Sequence, residues 1–345
     1  MFKTTVDVID AGRASMAPDL AAHIGAGAGD ESTVAANTAA LDRAKLVPSV
    51  AVGVGNPSTA TTVLGLDLEV PVLTAPMGPV ELVDDGGAVA VAEGAALVGA
   101  ATTVALTSSP ILEDVASANA ASLFQLYWWG DRAWVSSMLK RAAASGYRAT
   151  VITVDVPDYG TRWVDVRSGF DHHGQMTLPN LVNAPQERAE RLAFQRSLTF
   201  DDIAWAVEVS PLPIVLKGVL SGEDARRAID AGVAGIYVSN HGGRALAGQI
   251  GTMDALSEVV SEIDGQAAVI VDGGFSTGEH LAKGLASGAD LIAIGRPIAY
   301  ALASGGVAGV ENYLRLLKAD LHTALTVLGA SSPAQLLTSH IRRQS

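Results

Sequence analysis

The segment Ser239-Asn-His-Gly-Gly-Arg244 brings a candidate base and a fixed positive charge together within one short stretch. It follows the apolar run 234–238, whose lack of polar alternation is typical of a buried parallel strand. The two glycines let the backbone turn tightly and approach a ligand closely. A lone histidine is more often structural, but a position at the end of a strand beside Gly-Gly-Arg favours function. We therefore predict that His241 is a base and that Arg244 binds an anionic group.

Polar residues follow other apolar runs along the chain in the same way. We predict eight strands that alternate with amphipathic or alanine-rich stretches at the spacing of βα units. This alternation predicts an α/β protein built as a single (β/α)8 TIM barrel, with its functional groups at the carboxyl ends of the strands. A doubly wound sheet is the alternative, but no Gly-x-Gly-x-x-Gly motif follows an early strand. The predicted strand ends lie near Ala75, Ala105, Tyr127, Asp155, Lys217, Ser239, Asp272 and Gly295.

The predicted barrel is one domain over residues 1–345, with additions at its ends and in one loop. Residues 1–50 are expected to form a helical segment, in which the glycine-rich stretch 25–30 is a turn, because no strand precedes it and no Gly-Lys-Ser/Thr follows. Residues 61–76 predict a hairpin that caps the barrel, followed by the first barrel strand. Residues 168–198, in the long interval after the fourth strand, are polar with weak periodicity, and we interpret them as a mobile lid loop.

The residues at the strand ends define a candidate reaction centre. Asp155 near His241 would orient the imidazole and stabilise its charged form once it has taken a proton. Lys217 would stabilise negative charge that develops at the barrel centre. Arg244, together with Arg162, would hold a carboxylate through bidentate hydrogen bonds. These groups suit the abstraction of a proton next to a carboxylate.

Glycines follow the last two predicted strands, and Arg296 stands at the start of a helix. Backbone N–H groups and a helix N-terminus at this place form the usual phosphate site of such barrels. The sequence therefore predicts a phosphorylated ligand.

Five motifs resemble those of the FMN-dependent α-hydroxy-acid oxidase/dehydrogenase family in their residues, order and spacing, over roughly residues 20–340. The resemblance implies a barrel that binds FMN and oxidises a 2-hydroxy acid to the 2-oxo acid, with His241 taking a proton while electrons pass to the flavin. The motifs are Ser239-Asn-His-Gly-Gly-Arg244, Asp272-Gly-Gly274, Ile294-Gly-Arg-Pro297, Phe124-Gln-Leu-Tyr127 and Thr153-Val-Asp-Val-Pro157.

The same resemblance implies roles for individual residues. The catalytic residues would be His241, Asp155, Lys217, which would stabilise the reduced flavin, and Tyr127, which would also hydrogen-bond the substrate. The substrate carboxylate would be bound by Arg244 and Arg162, with His23 nearby. The residues that would contact FMN are Ala75, Pro76, Met77, Gly78, Gln125, Thr153, Lys217, Ser239, Asp272, Gly274, Gly295 and Arg296.

Several positions depart from the family pattern. Ser276 stands where relatives have an arginine for the FMN phosphate, and His23 falls near a tyrosine that touches the substrate carboxylate in relatives. Thr107 and Ala105 fall where relatives carry a tryptophan and a serine, which predicts a wider pocket and a bulky or aromatic substrate. Gly78 occupies a position where oxidases often have alanine and several dehydrogenases or monooxygenases have glycine. The electron acceptor, O2 or another, therefore stays open.

Composition excludes several classes of function. With a formal net charge of -13 and no Lys/Arg run, the chain is expected to bind neither nucleic acid nor an anionic membrane. The absence of cysteine excludes disulfides, thiolate catalysis and Cys-ligated metals, and no metal site is predicted. The N-terminus lacks the apolar core of a signal peptide, so we expect a cytoplasmic protein. Relatives are commonly tetramers, and the resemblance implies a homo-oligomer.

Two other functions remain open from the sequence. One is an FMN barrel with non-oxidative chemistry, similar to type 2 isopentenyl diphosphate isomerase, although a diphosphate substrate would not need the base of His-Gly-Gly-Arg. The other is a binding barrel that has lost its flavin, which the replacement at Ser276 motivates.

Overall fold

A computed structural model of the chain describes residues 2–78, 80–171, 173–175 and 177–344, with only the backbone of residue 173. Its centre is a closed barrel of eight parallel strands, β4 to β11, that pair in chain order, so the predicted (β/α)8 barrel is confirmed. The strands in the described ranges are β1 (Ala44–Leu46), β2 (Thr61–Val63), β3 (Leu66–Leu68), β4 (Val72–Thr74), β5 (Ala101–Ala105), β6 (Ser122–Tyr127), β7 (Thr150–Thr153), β8 (Ile214–Val219), β9 (Gly235–Val238), β10 (Ala268–Val271), β11 (Leu291–Ile294) and β12 (Ile341–Arg343).

Helices connect the barrel strands and surround them. Several begin at a side chain that caps the free backbone N–H groups, as Asp131 does by accepting from Trp134 N at 2.8 Å. The last helix leaves helical geometry at Gly305 and Gly306. The helices in the same ranges are α1 (Thr5–Ser15), α2 (Pro18–Gly25), α3 (Ser32–Arg43), α4 (Gly87–Ala96), α5 (Leu112–Ala118), α6 (Arg132–Ala144), α7 (Trp163–Ser168), α8 (Arg188–Ser197), α9 (Phe200–Val209), α10 (Gly222–Asp230), α11 (Thr252–Ile263), α12 (Gly278–Ala286) and α13 (Arg296–Leu328).

The barrel strands are buried on both faces, which explains why the sequence shows continuous apolar runs instead of alternation. Inward-facing residues such as Leu123, Val215 and Ile270 fill the interior, so the barrel is a packed core and not a pore. The antiparallel pair β2 and β3 adds Leu66 and Leu68 to this interior cluster. The hairpin therefore caps the barrel, as predicted.

The N-terminal segment contains α1, α2 and α3, as the sequence predicts, and β1 pairs with β12 to tie it to the C-terminal end of the chain. The glycine-rich stretch 25–30 is a turn between α2 and α3. Within it, Ala28 N donates to Gly243 O at 2.8 Å, and Gly29 N donates to Thr161 O at 2.9 Å. The turn thus lies against the loops that follow β9 and β7.

Residues 168–198 differ from the predicted unstructured loop because they include α8. This helix is anchored by Gln195, whose buried side chain accepts from Trp128 N at 2.8 Å and donates to Thr153 O at 3.0 Å. The loop prediction is therefore wrong for residues 188–197, where a mostly polar helix needs only one narrow buried face. Its role as a mobile lid stays a prediction, and His172 and Met176 within it lie outside the described residues.

Candidate active site

Two adjoining cavities open at the carboxyl ends of the barrel strands. The larger, of about 500 Å³, runs from the barrel centre to the loops after β10 and β11. The smaller, of about 120 Å³, lies towards α7 and α8. A volume of this order for the larger cavity is typical of ligand and cofactor sites. Both cavities are lined by His23, Gly78, Thr107, Tyr127, His241 and Arg244.

Most residues predicted to contact FMN line the larger cavity. Thr153 and Ser239 are exceptions, because they lie behind its wall and contact residues that line it. Thr153 Oγ1 accepts from Gln125 Nε2 at 3.0 Å, and Ser239 Oγ lies 3.0 Å from Lys217 Nζ. The predicted residues that line the cavity are Ala75, Pro76, Met77, Gly78, Gln125, Lys217, Asp272, Gly274, Gly295 and Arg296.

The predicted base and its orienting carboxylate meet, with His241 Nδ1 lying 3.2 Å from Asp155 Oδ1. His241 has a positive φ of 58°, which aims its ring into both cavities while its backbone N–H donates to Ser239 Oγ. Burial alone would raise the pKa of Asp155, but Lys217 and His241 outweigh it and hold the pKa below its ordinary value. Asp155 is therefore charged at neutral pH and can stabilise a protonated His241.

Lys217 lies at the barrel centre and is almost completely buried. Ser239 links it to Asp272, since Ser239 Oγ donates to Asp272 Oδ2 at 3.0 Å. Burial raises the pKa of Asp272, while Lys217 and Ser239 act in the opposite direction. The other carboxylate oxygen, Asp272 Oδ1, has no hydrogen-bond partner among the described residues. A buried acceptor of this kind calls for a donor from a ligand.

Arg244 is held by the N-terminal segment in a way that the sequence did not indicate. Its Nη1 donates to the carbonyl oxygens of His23, Ile24 and Ala26 at 2.8, 3.1 and 2.9 Å. Burial, with the charges of Arg162 and Arg296, lowers the pKa of Arg244 to about 9, so the guanidinium stays charged at neutral pH.

His23, predicted to lie near the substrate carboxylate, lines both cavities and also supports the arginines. Its Nδ1 lies 2.9 Å from Asp165 Oδ2, and its Nε2 lies 3.3 Å from Arg244 Nη2. Burial and the charge of Arg244 lower the pKa of His23 to about 4, despite Asp165. The ring is therefore neutral at pH 7, with Nδ1 donating to Asp165 and Nε2 accepting from Arg244.

Arg162 reaches the smaller cavity, as predicted, and donates through Nε to Asp165 Oδ2 at 2.7 Å. Asp165 is thus shared by His23 and Arg162, a role that sequence reasoning missed. The only sequence signal was its position three residues after Arg162 in a short helix, a spacing that brings side chains together. The Arg162 side chain makes no other hydrogen bond among the described residues, so its terminal nitrogens can bind an anion.

The predicted phosphate end of the larger cavity includes Gly274, Ser276, Gly295 and Arg296. Arg296 donates through Nε and Nη2 to the carbonyl oxygens of Ile24 and Ala26, at 3.0 and 2.9 Å. Its Nη1 has no hydrogen bond within the described ranges and is available to an anion. The same glycine-rich turn therefore fixes both Arg296 and Arg244.

Aromatic residues form one wall of the smaller cavity. Tyr127, predicted to contact the substrate, stacks on Trp129 with ring centroids 4.6 Å apart. Burial raises the pKa of the Tyr127 hydroxyl, so it remains a hydrogen-bond donor. Trp129, Tyr159, Arg188 and Arg191 also line this cavity, and sequence reasoning identified none of them. They follow β6 and β7 or lie on α8, where no recognisable motif marks them.

Comparisons with known proteins agree with this arrangement. A family model described as FMN-dependent dehydrogenase matches residues 12–343. An L-lactate oxidase of Nostoc sp. is 39% identical over 332 residues, covering 91% of each chain. A peroxisomal (S)-2-hydroxy-acid oxidase of Oryza sativa subsp. japonica is 38% identical over 329 residues, covering 92% of this chain and 90% of that protein. The crystal structure of a mandelate oxidase with benzoyl-formic acid superposes with a TM-score of 0.92 at 33% identity, covering 100% of this chain and 99% of the other.

The fold and site define a flavin-dependent oxidoreductase barrel. The chain belongs to the FMN-dependent dehydrogenase family, and the predicted family, enzyme class and FMN cofactor are confirmed. The site fits this cofactor, because the ribityl hydroxyls of FMN can donate to Asp272 Oδ1 and its phosphate can bind the free Nη1 of Arg296. The alternatives of an isomerase-like or flavin-free barrel are not supported by these relatives.

No helix in the described part of the chain is long and apolar enough to cross a membrane. Among the described residues, no cluster of three or more histidines or acids could hold a metal ion.

Proposed function

We propose that this chain oxidises a 2-hydroxy acid to the corresponding 2-oxo acid and passes the electrons to O2. The substrate loses two electrons and two protons, and O2 gains them to become H2O2. The observation that carries the proposal is that His241, which lies 3.2 Å from Asp155 behind it, lines the same cavity as Arg244. The activity of the named relatives, which are oxidases of lactate, 2-hydroxy acids and mandelate, supports it.

In this proposal the two arginines, Arg244 and Arg162, bind the substrate carboxylate and present the C2 hydroxyl side to His241. His241 takes one of the two protons that the substrate loses, and Asp155 stabilises the imidazolium that results. Tyr127 donates a hydrogen bond to the substrate oxygen. When bound, FMN supplies the acceptor for the electron pair. Lys217, at the barrel centre, stabilises the negative charge that then arises nearby.

The residues around the reacting centre favour a side chain larger than that of glycolate. Ala105 and Thr107 both line the larger cavity, and Thr107 also faces the smaller one. Their small side chains leave room that a bulky substrate can fill. The choice of O2 rests on the named relatives, because Gly78 by itself is compatible with several acceptors.

An anaerobic titration of the purified holoenzyme tests the proposal. Lactate, 2-hydroxybutanoate and mandelate are each added, and the visible flavin absorbance is followed. Bleaching by at least one of them, with H2O2 formed in a stoichiometric amount once air is admitted, supports the proposal. If no 2-hydroxy acid reduces the flavin, the proposed reaction is wrong. If reduction occurs but O2 does not reoxidise the flavin, the acceptor is another molecule.

The expectation of a cytoplasmic homo-oligomer still rests on sequence resemblance and composition. We infer self-association from the family alone. Sedimentation velocity at micromolar concentration tests it, and a species with the mass of one chain would contradict it.

A further inference from the structure

Two arginines that the reaction does not use line the outer end of the smaller cavity. Arg188 and Arg191 lie one turn apart on α8, and both face the space that His241 and Arg244 line from the inner side. We propose that this outer end binds a second carboxylate, so that the preferred substrate is a 2-hydroxy acid whose side chain ends in an acid group. The inference rests on the proposed function and specifies its substrate class.

The position of these arginines follows from the aromatic wall. The Arg188 guanidinium lies 4.2 Å from the centre of the Tyr159 ring, and the Arg191 guanidinium lies 5.5 Å from that of Trp129. Stacking of this kind holds a guanidinium in place while its edge stays available for hydrogen bonds. Arg188 and Arg191 are therefore held against the wall of the cavity, with Arg188 still exposed to solvent and Arg191 half-buried.

Tyr159 connects the two ends of the cavity. Burial raises the pKa of its hydroxyl, and the charges of Arg188, Arg191 and Arg162 act against that rise. Tyr159 in turn raises the pKa of Tyr127, which also responds to Arg244. All of these side chains line the smaller cavity, so positive charge extends along it from Arg244 and Arg162 to the outer end.

The outer arginines lack an acidic partner. Over the described ranges, neither Arg188 nor Arg191 forms an ion pair, and Arg191 Nη1 donates only to the carbonyl oxygens of Pro185 and Gln186, at 3.0 and 2.8 Å. Asp158, whose pKa Arg188 helps to lower, is already paired with Arg196 at 2.6 Å. The two guanidinium groups are thus available to an anionic ligand.

The charge of the lining supports a dianionic substrate. Four arginines and no acid are among the described residues that line the cavity, in a chain whose net charge is -13. Of these four, only Arg162 is paired with a carboxylate, Asp165. A substrate with one carboxylate would leave both outer positive charges uncompensated, whereas a second carboxylate would compensate one of them and could hydrogen-bond to both guanidinium groups. The small volume, about 120 Å³, suits a side chain of a few carbon atoms.

Substrate pairs of matched length test the proposal on the holoenzyme. The efficiency of anaerobic flavin reduction is compared for 2-hydroxyglutarate and 2-hydroxypentanoate, and for 2-hydroxysuccinate and 2-hydroxybutanoate. We expect the dicarboxylic member of at least one pair to be favoured about tenfold or more, the gain typical of one charge-assisted contact. Equal efficiencies, or a preference for mandelate over all four, would overturn the inference while leaving the proposed oxidation intact. If none of these acids, mandelate included, reduces the flavin, the result contradicts the proposed function instead.

The variants Arg188→Gln and Arg191→Gln show whether the preference comes from this cavity. Each should reduce efficiency on the dicarboxylic acid about tenfold more than on its monocarboxylic partner. Arg167→Gln, which removes an exposed arginine of α7 that lines neither cavity, should keep the wild-type preference. If efficiency falls equally on both substrates and the fall disappears at high salt, the arginines only attract anions to the cavity. That result would overturn the inference.

Binding without turnover gives an independent measurement. The affinities of the oxidised holoenzyme for 2-oxoglutarate and 2-oxopentanoate are measured through their effect on the flavin spectrum. We expect tighter binding of 2-oxoglutarate in the wild-type enzyme and a reduced difference in Arg191→Gln. If the difference between the two affinities is unchanged in both Arg188→Gln and Arg191→Gln, the second carboxylate binds elsewhere and the inference is wrong.

Discussion

Arg244 and His23 hold each other through two contacts, from Arg244 Nη1 to the His23 carbonyl oxygen at 2.8 Å and from Arg244 Nη2 to His23 Nε2 at 3.3 Å. The second contact requires a neutral imidazole with an unprotonated Nε2. His23, which departs from the family pattern, therefore positions Arg244, the arginine proposed to bind the substrate, and couples it to Asp165.

This contact predicts a pH dependence of stability. The pKa of His23 falls from 6.5 to about 4 on folding, so between these values the unfolded chain binds the additional proton. The contribution of His23 to the free energy of unfolding is fully present above pH 6.5. It decreases as the pH falls towards 4, by about 3 kcal/mol in total. Urea unfolding at a series of pH values should show a shallower pH dependence in His23→Asn. His322→Asn, on the outer side of α13, is the control and should keep the wild-type dependence.

Replacing His241 by alanine should abolish flavin reduction and leave the flavin bound. Removal of a general base typically costs about 10²–10⁴-fold in rate. Stopped-flow measurement of flavin reduction gives the rate, and the absorbance ratio of flavin to protein gives the occupancy. Asp155→Asn should also slow reduction, because it removes the charge that stabilises the imidazolium. If the flavin in His241→Ala is reduced at the wild-type rate, the proposed mechanism is wrong.

Arg244→Lys should weaken substrate binding and loosen the N-terminal segment. Lysine keeps the charge but cannot bind a carboxylate with a planar fork or reach the three carbonyl oxygens that Arg244 Nη1 now contacts. We expect a higher KM together with a lower unfolding temperature. Steady-state kinetics and thermal unfolding measure the two effects separately. Wild-type affinity in this variant would mean that Arg162 alone holds the substrate carboxylate.

Ser276→Arg should tighten FMN binding. The backbone N–H and Oγ of Ser276 lie 3.3 and 3.4 Å from His280 Nδ1. Burial and the charge of Lys283 lower the pKa of His280, so this histidine does not replace the positive charge of the missing arginine. A charge-assisted contact contributes about 1.5–3 kcal/mol. Fluorescence titration of the apoprotein with FMN measures the gain, and Ser257→Arg on the exposed face of α11 controls for net charge. No gain would indicate that Arg296 already saturates the phosphate.

Gly78→Ala should disturb the flavin site for a steric reason. A Cβ at this position would lie 2.2 Å from Thr107 Oγ1, so one of the two side chains must move. We expect weaker FMN binding in Gly78→Ala and recovery in the double variant with Thr107→Ala. Thr107→Val, which keeps the bulk, should give no recovery. Normal binding in Gly78→Ala alone would show that Thr107 rotates away easily, and the glycine would then need another explanation.

The barrel and the strand ends that carry the candidate reacting groups could be predicted from the residues alone, whereas the resemblance to a known family implied the cofactor. Apolar runs such as 234–238 are buried on both faces, and a parallel strand forces the next residues, here His241, to the carboxyl edge of the barrel. Asp155 and Lys217 could be assigned for the same reason, because local order along the chain translates directly into neighbouring strand ends.

The way in which the charged side chains around these groups pair with one another could not be predicted from the sequence. His23 and Arg244 are far apart in the chain, and no periodicity links Arg244 or Arg296 to the glycine-rich turn, where the Ala26 carbonyl oxygen accepts from both arginines. The same holds for Arg188 and Arg191. The sequence places them in a polar loop, whereas in the structure they belong to α8 and line the smaller cavity. Contacts between segments distant in sequence depend on how the whole chain packs, and the residue types alone do not specify them.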